Sequence, residues 1–259
     1  PRRAASSDSL IMNEAQAIIE RVRRIAPTLQ RLEVATDKTH RLIGAGQLLL
    51  ARLTDSFDPY LRTPWLPIGR GSNGTLIIER PTHHLYAPGQ IVSLLGPVGK
   101  ALPIGDTVRA LLLIAYETTP AALLMAAAQV IERGGAVALA LIGRAAAYPV
   151  EALPPEIEII RAADDVRWTE RDRMITWAEQ IIAVAPPVYD LPAYTRLFDH
   201  VKRIRIEPAA DYLYGVFHHA MPCGVGACQA CLVGLKGGRE ALACVDGPAF
   251  DLTDVRLEG

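Results

Sequence analysis

All four cysteines of this 259-residue chain lie between positions 223 and 244, spaced C-x4-C-x2-C-x12-C. The first three sit in Met221-Pro222-Cys223-Gly224-Val225-Gly226-Ala227-Cys228-Gln229-Ala230-Cys231, and Cys244 closes the set. This is the plant-type spacing for a [2Fe-2S] cluster held by thiolates, so the chemistry it points to is single-electron transfer. Three thiolates in one short loop can grip a cluster only if the backbone curls around it with amides toward the sulfurs. Gly224, Gly226, Ala227 and Ala230 permit that wrap. The amides matter because thiolates and sulfides together leave net negative charge, and hydrogen bonds to sulfur help set the potential. The competing assignment is a structural zinc site, since four thiolates also suit tetrahedral zinc. Zinc ribbons, however, place their cysteines as two separated knuckles rather than three in one loop. A Rieske centre needs two histidine ligands, and His218 and His219 precede the loop without the required interleaving. They read as solvated or capping side chains.

A cysteine cluster in a chain of this length fits a metal centre in a reducing compartment better than a disulfide framework. The opening Pro1-Arg2-Arg3-Ala4-Ala5-Ser6-Ser7 lacks the apolar core of a secretory signal, and a cytoplasmic location is expected. The longest apolar runs, at 110–116 and 136–142, fall far short of the ~18 residues a membrane span needs, so no transmembrane segment is expected. A formal net charge of −1 argues against nucleic acid as a partner, because phosphate binding needs a concentrated basic surface.

The elements that must position the cysteines follow from periodicity. Over residues 9–26, Ile11, Ala15, Ile18, Val22 and Ile25 recur at helical spacing and predict an amphipathic helix, docked on the chain's own core or on a partner. From about 31 to 105, short runs at 47–53, 75–79 and 90–95 alternate with turns rich in Gly and Pro, which predicts a small antiparallel barrel. From 110 to 207 the pattern alternates: strands at 111–116, 136–142, 157–160, 181–185 and 204–206, helices at 120–132, 169–179 and 191–201. That alternation implies a parallel sheet with helical crossovers. The cysteines close the chain in a lobe of loops and short strands.

The cysteine lobe resembles the electron-transfer subunit of the two-subunit, NAD-linked dihydroorotate dehydrogenases, a branch of the ferredoxin-reductase superfamily. The resemblance rests on Met221 to Cys231 and on Ala243-Cys244-Val245-Asp246-Gly247-Pro248-Ala249-Phe250, with weaker echoes at Ala45-Gly46-Gln47 and Leu95-Gly96-Pro97-Val98-Gly99. It implies α/β plus β architecture in four parts: an N-terminal helical extension (1–30), a flavin-domain-like β-barrel (31–106), an NAD-domain-like α/β domain (107–207) and a [2Fe-2S] lobe (208–259). In that family electrons pass from NADH to FAD, through the cluster, to a flavin in a separate catalytic subunit.

Two stations depart from the family pattern. Where the family carries Arg-Pro-aromatic-Ser against FAD, this chain has Thr63-Pro64-Trp65-Leu66, without the anchoring Arg and Ser. Arg62 is one residue away, on the opposite face of a strand. Trp65 is the residue left to stack on an isoalloxazine, set against its plainer reading as a buried indole. Where the family places a glycine-rich phosphate loop, this chain has Ala115-Tyr116-Glu117-Thr118-Thr119-Pro120-Ala121. Here the Glu117 carboxylate would repel a pyrophosphate, and Thr118 or Thr119 before Pro120 reads as an N-cap. The later Cys-Gly-Pro is replaced by Ala185-Pro186-Pro187. These departures argue against direct NAD(P)H oxidation and weaken the case for FAD.

The expected function is therefore an iron-sulfur relay subunit exchanging single electrons with a partner redox subunit, with no catalytic acid or base of its own. Two alternatives stand beside it: a FAD-containing reductase feeding dihydroorotate dehydrogenase, and a structural accessory subunit whose metal is inert.

Overall fold

A computed structural model describes residues 12–54, 59–71 and 73–257. Seven strands, β1 (Asn13–Ala26), β2 (Leu29–Ala35), β3 (Leu48–Leu53), β4 (Thr63–Trp65), β5 (Pro67–Arg70), β6 (Leu76–Pro81) and β7 (Ile91–Val98), form one antiparallel sheet in the order β4-β3-β7-β1-β2-β6-β5. A short helix, α1 (Lys38–Arg41), links β2 and β3. The sheet curls into the expected barrel around Ile19, Leu32, Val34, Leu49, Ile78 and Leu94, which supply the alternate inward positions of their strands.

The helix expected over 9–26 is not formed. Ile11 lies outside the described residues, and from Asn13 onward the chain is the strand β1, paired with β7 (Ala15 opposite Leu94, Ala17 opposite Val92) and with β2 (Ile19 opposite Val34). The described part of the segment read as a helical extension therefore belongs to the barrel. Ala17 and Ile19 are buried while Ile18 between them is 48% exposed, a period of two. A bulge between Ile19 and Arg21 then shifts the alternation, and that shift is what lets Ile18, Val22 and Ile25 mimic helical spacing.

A second sheet has five parallel strands, β8 (Ala110–Tyr116), β9 (Ala136–Ile142), β10 (Ile157–Ala162), β11 (Gln180–Val184) and β12 (Leu213–Val216), in the order β10-β9-β8-β11-β12. Helix α2 (Ala121–Glu132) packs on the face that carries Leu111, Leu113 and Leu139. Helices α3 (Arg171–Trp177) and α4 (Asp190–Ile204) pack on the face that carries Leu112, Ile114 and Ala140. With both faces covered, the inner strands β8, β9 and β11 read as nearly unbroken apolar runs, while the edge strand β10 carries Glu158 and Arg161.

The strand expected at 204–206 is also absent. Helix α4 runs to Ile204 and Ile206 is 91% exposed, while the strand falls at Leu213–Val216. The alternation Arg203-Ile204-Arg205-Ile206 imitates a strand, but the Arg205 guanidinium donates to the carbonyls of Thr176 and Ala178 and fixes this stretch as a helix end.

The C-terminal lobe adds a hairpin, β13 (Leu232–Gly234) with β14 (Glu240–Leu242), and then β15 (Ala249–Asp251), which joins the second sheet antiparallel to β12.

Candidate functional site

The cysteine loop leaves β12, passes through the buried Met221 and wraps against the barrel beside Leu48, Leu50 and Val98. Gly224 has φ +66°, and a Cβ there would meet Met12 Cε at 2.7 Å, Leu50 Cδ1 at 2.9 Å and Val98 Cγ2 at 3.1 Å. Gly226 has φ +77° and is approached to 3.1 Å by Leu242 and Val245. Both positions therefore combine a left-handed backbone with close packing, which only glycine satisfies without strain.

The four thiols are all free and group two and two. The amide of Cys228 donates to Cys223 Sγ at 3.5 Å, and the amide of Cys244 donates to Cys231 Sγ at 3.5 Å. Cys231 and Cys244 are buried, at 1% and 3% exposure, whereas Cys223 is half-buried and Cys228 is exposed. Although burial opposes it, the amides of Cys228, Val225 and Ala227 bring the Cys223 thiol down to about 6. Burial, reinforced by the neighbouring Cys231, pushes the Cys244 thiol up to about 12. Among the described residues, no three Cys, His, Asp or Glu side chains converge closely enough to share one metal ion. Two pairs of thiols with amides turned toward the sulfurs fit a binuclear cluster in which each metal takes one pair.

Neighbouring elements hold this arrangement. The Gly99 amide at the end of the barrel donates to the Cys244 carbonyl at 3.1 Å, and the Lys100 amide donates to the Gly247 carbonyl at 2.5 Å. Gln47 Nε2 donates to the Gly99 carbonyl at 2.6 Å, completing the link. On the other side His219 Nε2 lies 2.9 Å from Asp190 Oδ2 at the start of α4, and this hydrogen bond raises the His219 pKa. His218 is not a solvated side chain: it is half-buried, burial lowers it to about 4, and its Nε2 is shielded from solvent with no partner among the described residues. None of these supports was legible from the cysteine spacing, because each comes from a distant element.

At the position compared with the flavin motif, Trp65 does not present a face for stacking. It is 1% exposed in the barrel core, edge-on to Tyr86 at 5.4 Å between ring centroids and covered by the Arg80 guanidinium. Its Nε1 has no partner among the described residues, and Arg80, His83, His84 and Tyr86 line a cleft of about 260 Å³ beside it. Arg62 is committed elsewhere, donating to Ser93 O at 2.9 Å, Ser93 Oγ at 3.0 Å and Glu14 Oε1 at 2.5 Å.

At the start of the α/β domain, Glu117 takes the left-handed conformation, φ +56°, that a glycine would adopt more easily. Its carboxylate accepts from the Arg144 amide and the Arg144 Nε, both at 3.1 Å, and lies directly over Gly143. The expected threonine cap is not formed. Pro120 occupies the N-cap position of α2, and no side chain caps it.

Residues 218–256 match the family model described as the iron-sulfur cluster binding domain of dihydroorotate dehydrogenase B, and all four cysteines fall inside the match. Over nearly its whole length the chain is similar to proteins named dihydroorotate dehydrogenase B (NAD(+)), electron transfer subunit. It is 26% identical to that of Streptococcus mutans and 27% identical to that of Geobacillus thermodenitrificans, covering 96% of this chain and 100% of each relative. Among solved structures, the NADH-dependent reduced ferredoxin-NADP oxidoreductase shares the fold with a TM-score of 0.73 at 19% identity, covering 94% of this chain and 90% of that one. Phthalate dioxygenase reductase shares it with a TM-score of 0.56 at 11% identity, covering 88% and 76%. The ferredoxin-reductase-like architecture and the resemblance of the cysteine lobe are thereby shown. Among the described residues no helix is long and apolar enough to cross a membrane.

Proposed function

We propose that this chain is an iron-sulfur electron-transfer subunit that passes single electrons to or from a partner redox subunit. Cys223, Cys228, Cys231 and Cys244 are its cluster ligands, and Gly224 and Gly226 allow the loop to wrap. The observation that carries the reading is the two-and-two grouping of thiols inside the matched segment, with one pair buried and Cys228 exposed. When bound, a [2Fe-2S] cluster supplies one-electron chemistry. The protein's own part is to hold four thiolates, offset their charge with the amides of Cys228 and Cys244, and leave the Cys228 side open to a partner. The relatives' names make a dihydroorotate dehydrogenase the partner of choice, and the four free thiols fit a reducing, cytoplasmic setting.

A second reading, a FAD-containing reductase feeding that dehydrogenase, is favoured by the cleft that Arg80, His83, His84 and Tyr86 line in a reductase-like barrel. Flavin retained on the purified chain decides for it. Anaerobic purification is expected to yield about two irons and two acid-labile sulfides per chain, with thiolate-to-iron charge-transfer colour. Stoichiometric zinc without sulfide overturns the relay reading and leaves the structural accessory role. Cys228→Ala is expected to abolish the cluster, because metal binding and local folding are coupled.

A further inference from the structure

The turn that follows β7 attaches the barrel to the last thiol, and it does so through two consecutive amides. The Gly99 amide donates to the Cys244 carbonyl at 3.1 Å, and the Lys100 amide donates to the Gly247 carbonyl at 2.5 Å. Around these carbonyls the segment closes on itself, with the amides of Val245 and Asp246 donating to the Leu242 carbonyl at 3.0 and 2.7 Å. Cys244 thus has its carbonyl tied to the barrel and its amide tied to Cys231 Sγ. A rotation of the 99–100 turn is therefore passed on to Cys244 and to the hydrogen bond on the sulfur beside it.

Gln47 orients that turn. It lies immediately before β3, is 5% exposed, and has both ends of its side-chain amide in use. Its Oε1 accepts from the Gly44 amide at 2.8 Å, and its Nε2 donates to the Gly99 carbonyl at 2.6 Å. The Gly99 carbonyl and the Lys100 amide are the two ends of one planar peptide group, so the bond from Gln47 fixes the plane in which Lys100 aims at Gly247. Three amides stand in series: Gly44 donates to Gln47, Gln47 to the 99–100 peptide, and that peptide to the Gly247 carbonyl. Hydrogen bonds in series polarise one another, and burial strengthens each of them. The Leu102 amide also donates to the Ala45 carbonyl at 2.8 Å, which holds the two turns together and leaves the 99–100 plane to Gln47.

We infer that Gln47 is a positioning residue for the metal centre: through the 99–100 peptide it holds Cys244 where four thiolates can close on a cluster, and it keeps the Cys244 amide on Cys231 Sγ. The inference rests on the assignment of the four thiols as cluster ligands. Gln47 acts through the backbone, and the plainer role, a polar tie for the barrel turn alone, predicts lost stability with no change at the cysteines. Replacement by leucine leaves the Gly44 amide and the Gly99 carbonyl without these partners, and the 99–100 peptide is then free to turn toward others. The fourth ligand loosens, and Cys231 Sγ loses part of its donor. A thiolate with fewer donors favours the oxidised cluster, so the potential falls.

The test compares Gln47→Leu with the wild type and with Leu32→Ala, which truncates a fully buried side chain elsewhere in the barrel core. Anaerobically purified full chains are followed by metal release to a chelator, by redox titration of the visible spectrum, and by hydrogen exchange over 243–250 read by mass spectrometry. Gln47→Leu is expected to release metal about tenfold faster, to show a more negative potential and to exchange faster over 243–250. Leu32→Ala is expected to lower the melting temperature at least as much while all three readouts stay at wild-type values. Should the leucine variant fold poorly, Gln47→Glu keeps the acceptor for the Gly44 amide and removes only the donor to Gly99; it is expected to speed release and exchange in the same way. Wild-type release and exchange in the Gln47 variants overturn the proposal, and so do equal changes in Leu32→Ala, which make the effect one of general stability. If the chain holds zinc in place of a cluster, the relay reading has failed, while metal release and exchange still decide the role of Gln47.

Discussion

The amide of Gly99 donates to the carbonyl of Cys244 at 3.1 Å, which ties the last thiol of the set to the end of a barrel strand. Gly99 has φ +80°, and a Cβ there would stand 3.0 Å from both the Gly247 carbonyl and Pro248 Cδ. The spacing between the two thiol pairs is thus set partly by the barrel and not by the cysteine lobe alone.

The same dependence appears at Gly224, whose neighbours Met12, Leu50 and Val98 come from the barrel and its approach. Gly224→Ala is expected to destabilise the chain by about 1–3 kcal/mol, from the left-handed backbone and the contact with Leu50 Cδ1. It should also lower iron occupancy. Iron analysis and thermal melting check this, and wild-type iron with a melting temperature within about 1 °C refutes it.

Val225 is 56% exposed between Cys223 and Cys228, at the open side of the thiol set. Val225→Glu is expected to leave the cluster spectrum intact while weakening association with the partner subunit and slowing electron transfer. A charge buried at an interface without a counter-ion costs several kcal/mol. Wild-type assembly and transfer rates in that variant would show that electrons leave by another face.

Glu117 holds its carboxylate against Arg144 and over Gly143, where a pyrophosphate would have to displace it. The isolated chain is expected to bind NADH with a Kd weaker than about 1 mM. Replacing Glu117 with Gly should bring little gain in hydride transfer, because no flavin station with the family's anchoring groups accompanies it. Micromolar NADH binding to the unaltered chain contradicts this.

The His219–Asp190 hydrogen bond makes stability depend on pH. Because this bond raises the folded-state pKa of His219, its contribution is complete below the unfolded value near 6.5 and is lost as pH rises through the folded value. The melting-temperature difference between wild type and His219→Gln should therefore be about 2–4 °C at pH 6 and shrink by pH 8.5. A difference that is constant across that range removes the ionic part of the link.

Sequence alone located what is local. The cysteine spacing, the glycines between the thiols and the apolar runs of β8, β9 and β11 all depend on neighbours within a few residues. What it missed depends on pairing. Ile18, Val22 and Ile25 fit a helix until β2 and β7 are present to pair with β1, and the bulge after Ile19 hides the alternation. Trp65 shows the reverse case: its type suits flavin stacking, but burial against Tyr86 and Arg80 leaves it no open face.

Strand β15 follows the last cysteine yet completes the parallel sheet, with Tyr214 opposite Asp251 and the Leu252 amide bonded to the Leu213 carbonyl. The cysteine-bearing segment therefore cannot be lifted out as a cassette. Cutting on either side of 218–256 strips an edge strand from β12 and exposes Phe250 and Leu252, both buried in the native sheet. Recombination that shuffles the lobe between proteins must carry the neighbouring strand with it, so inheritance joins the two units as a single heritable block.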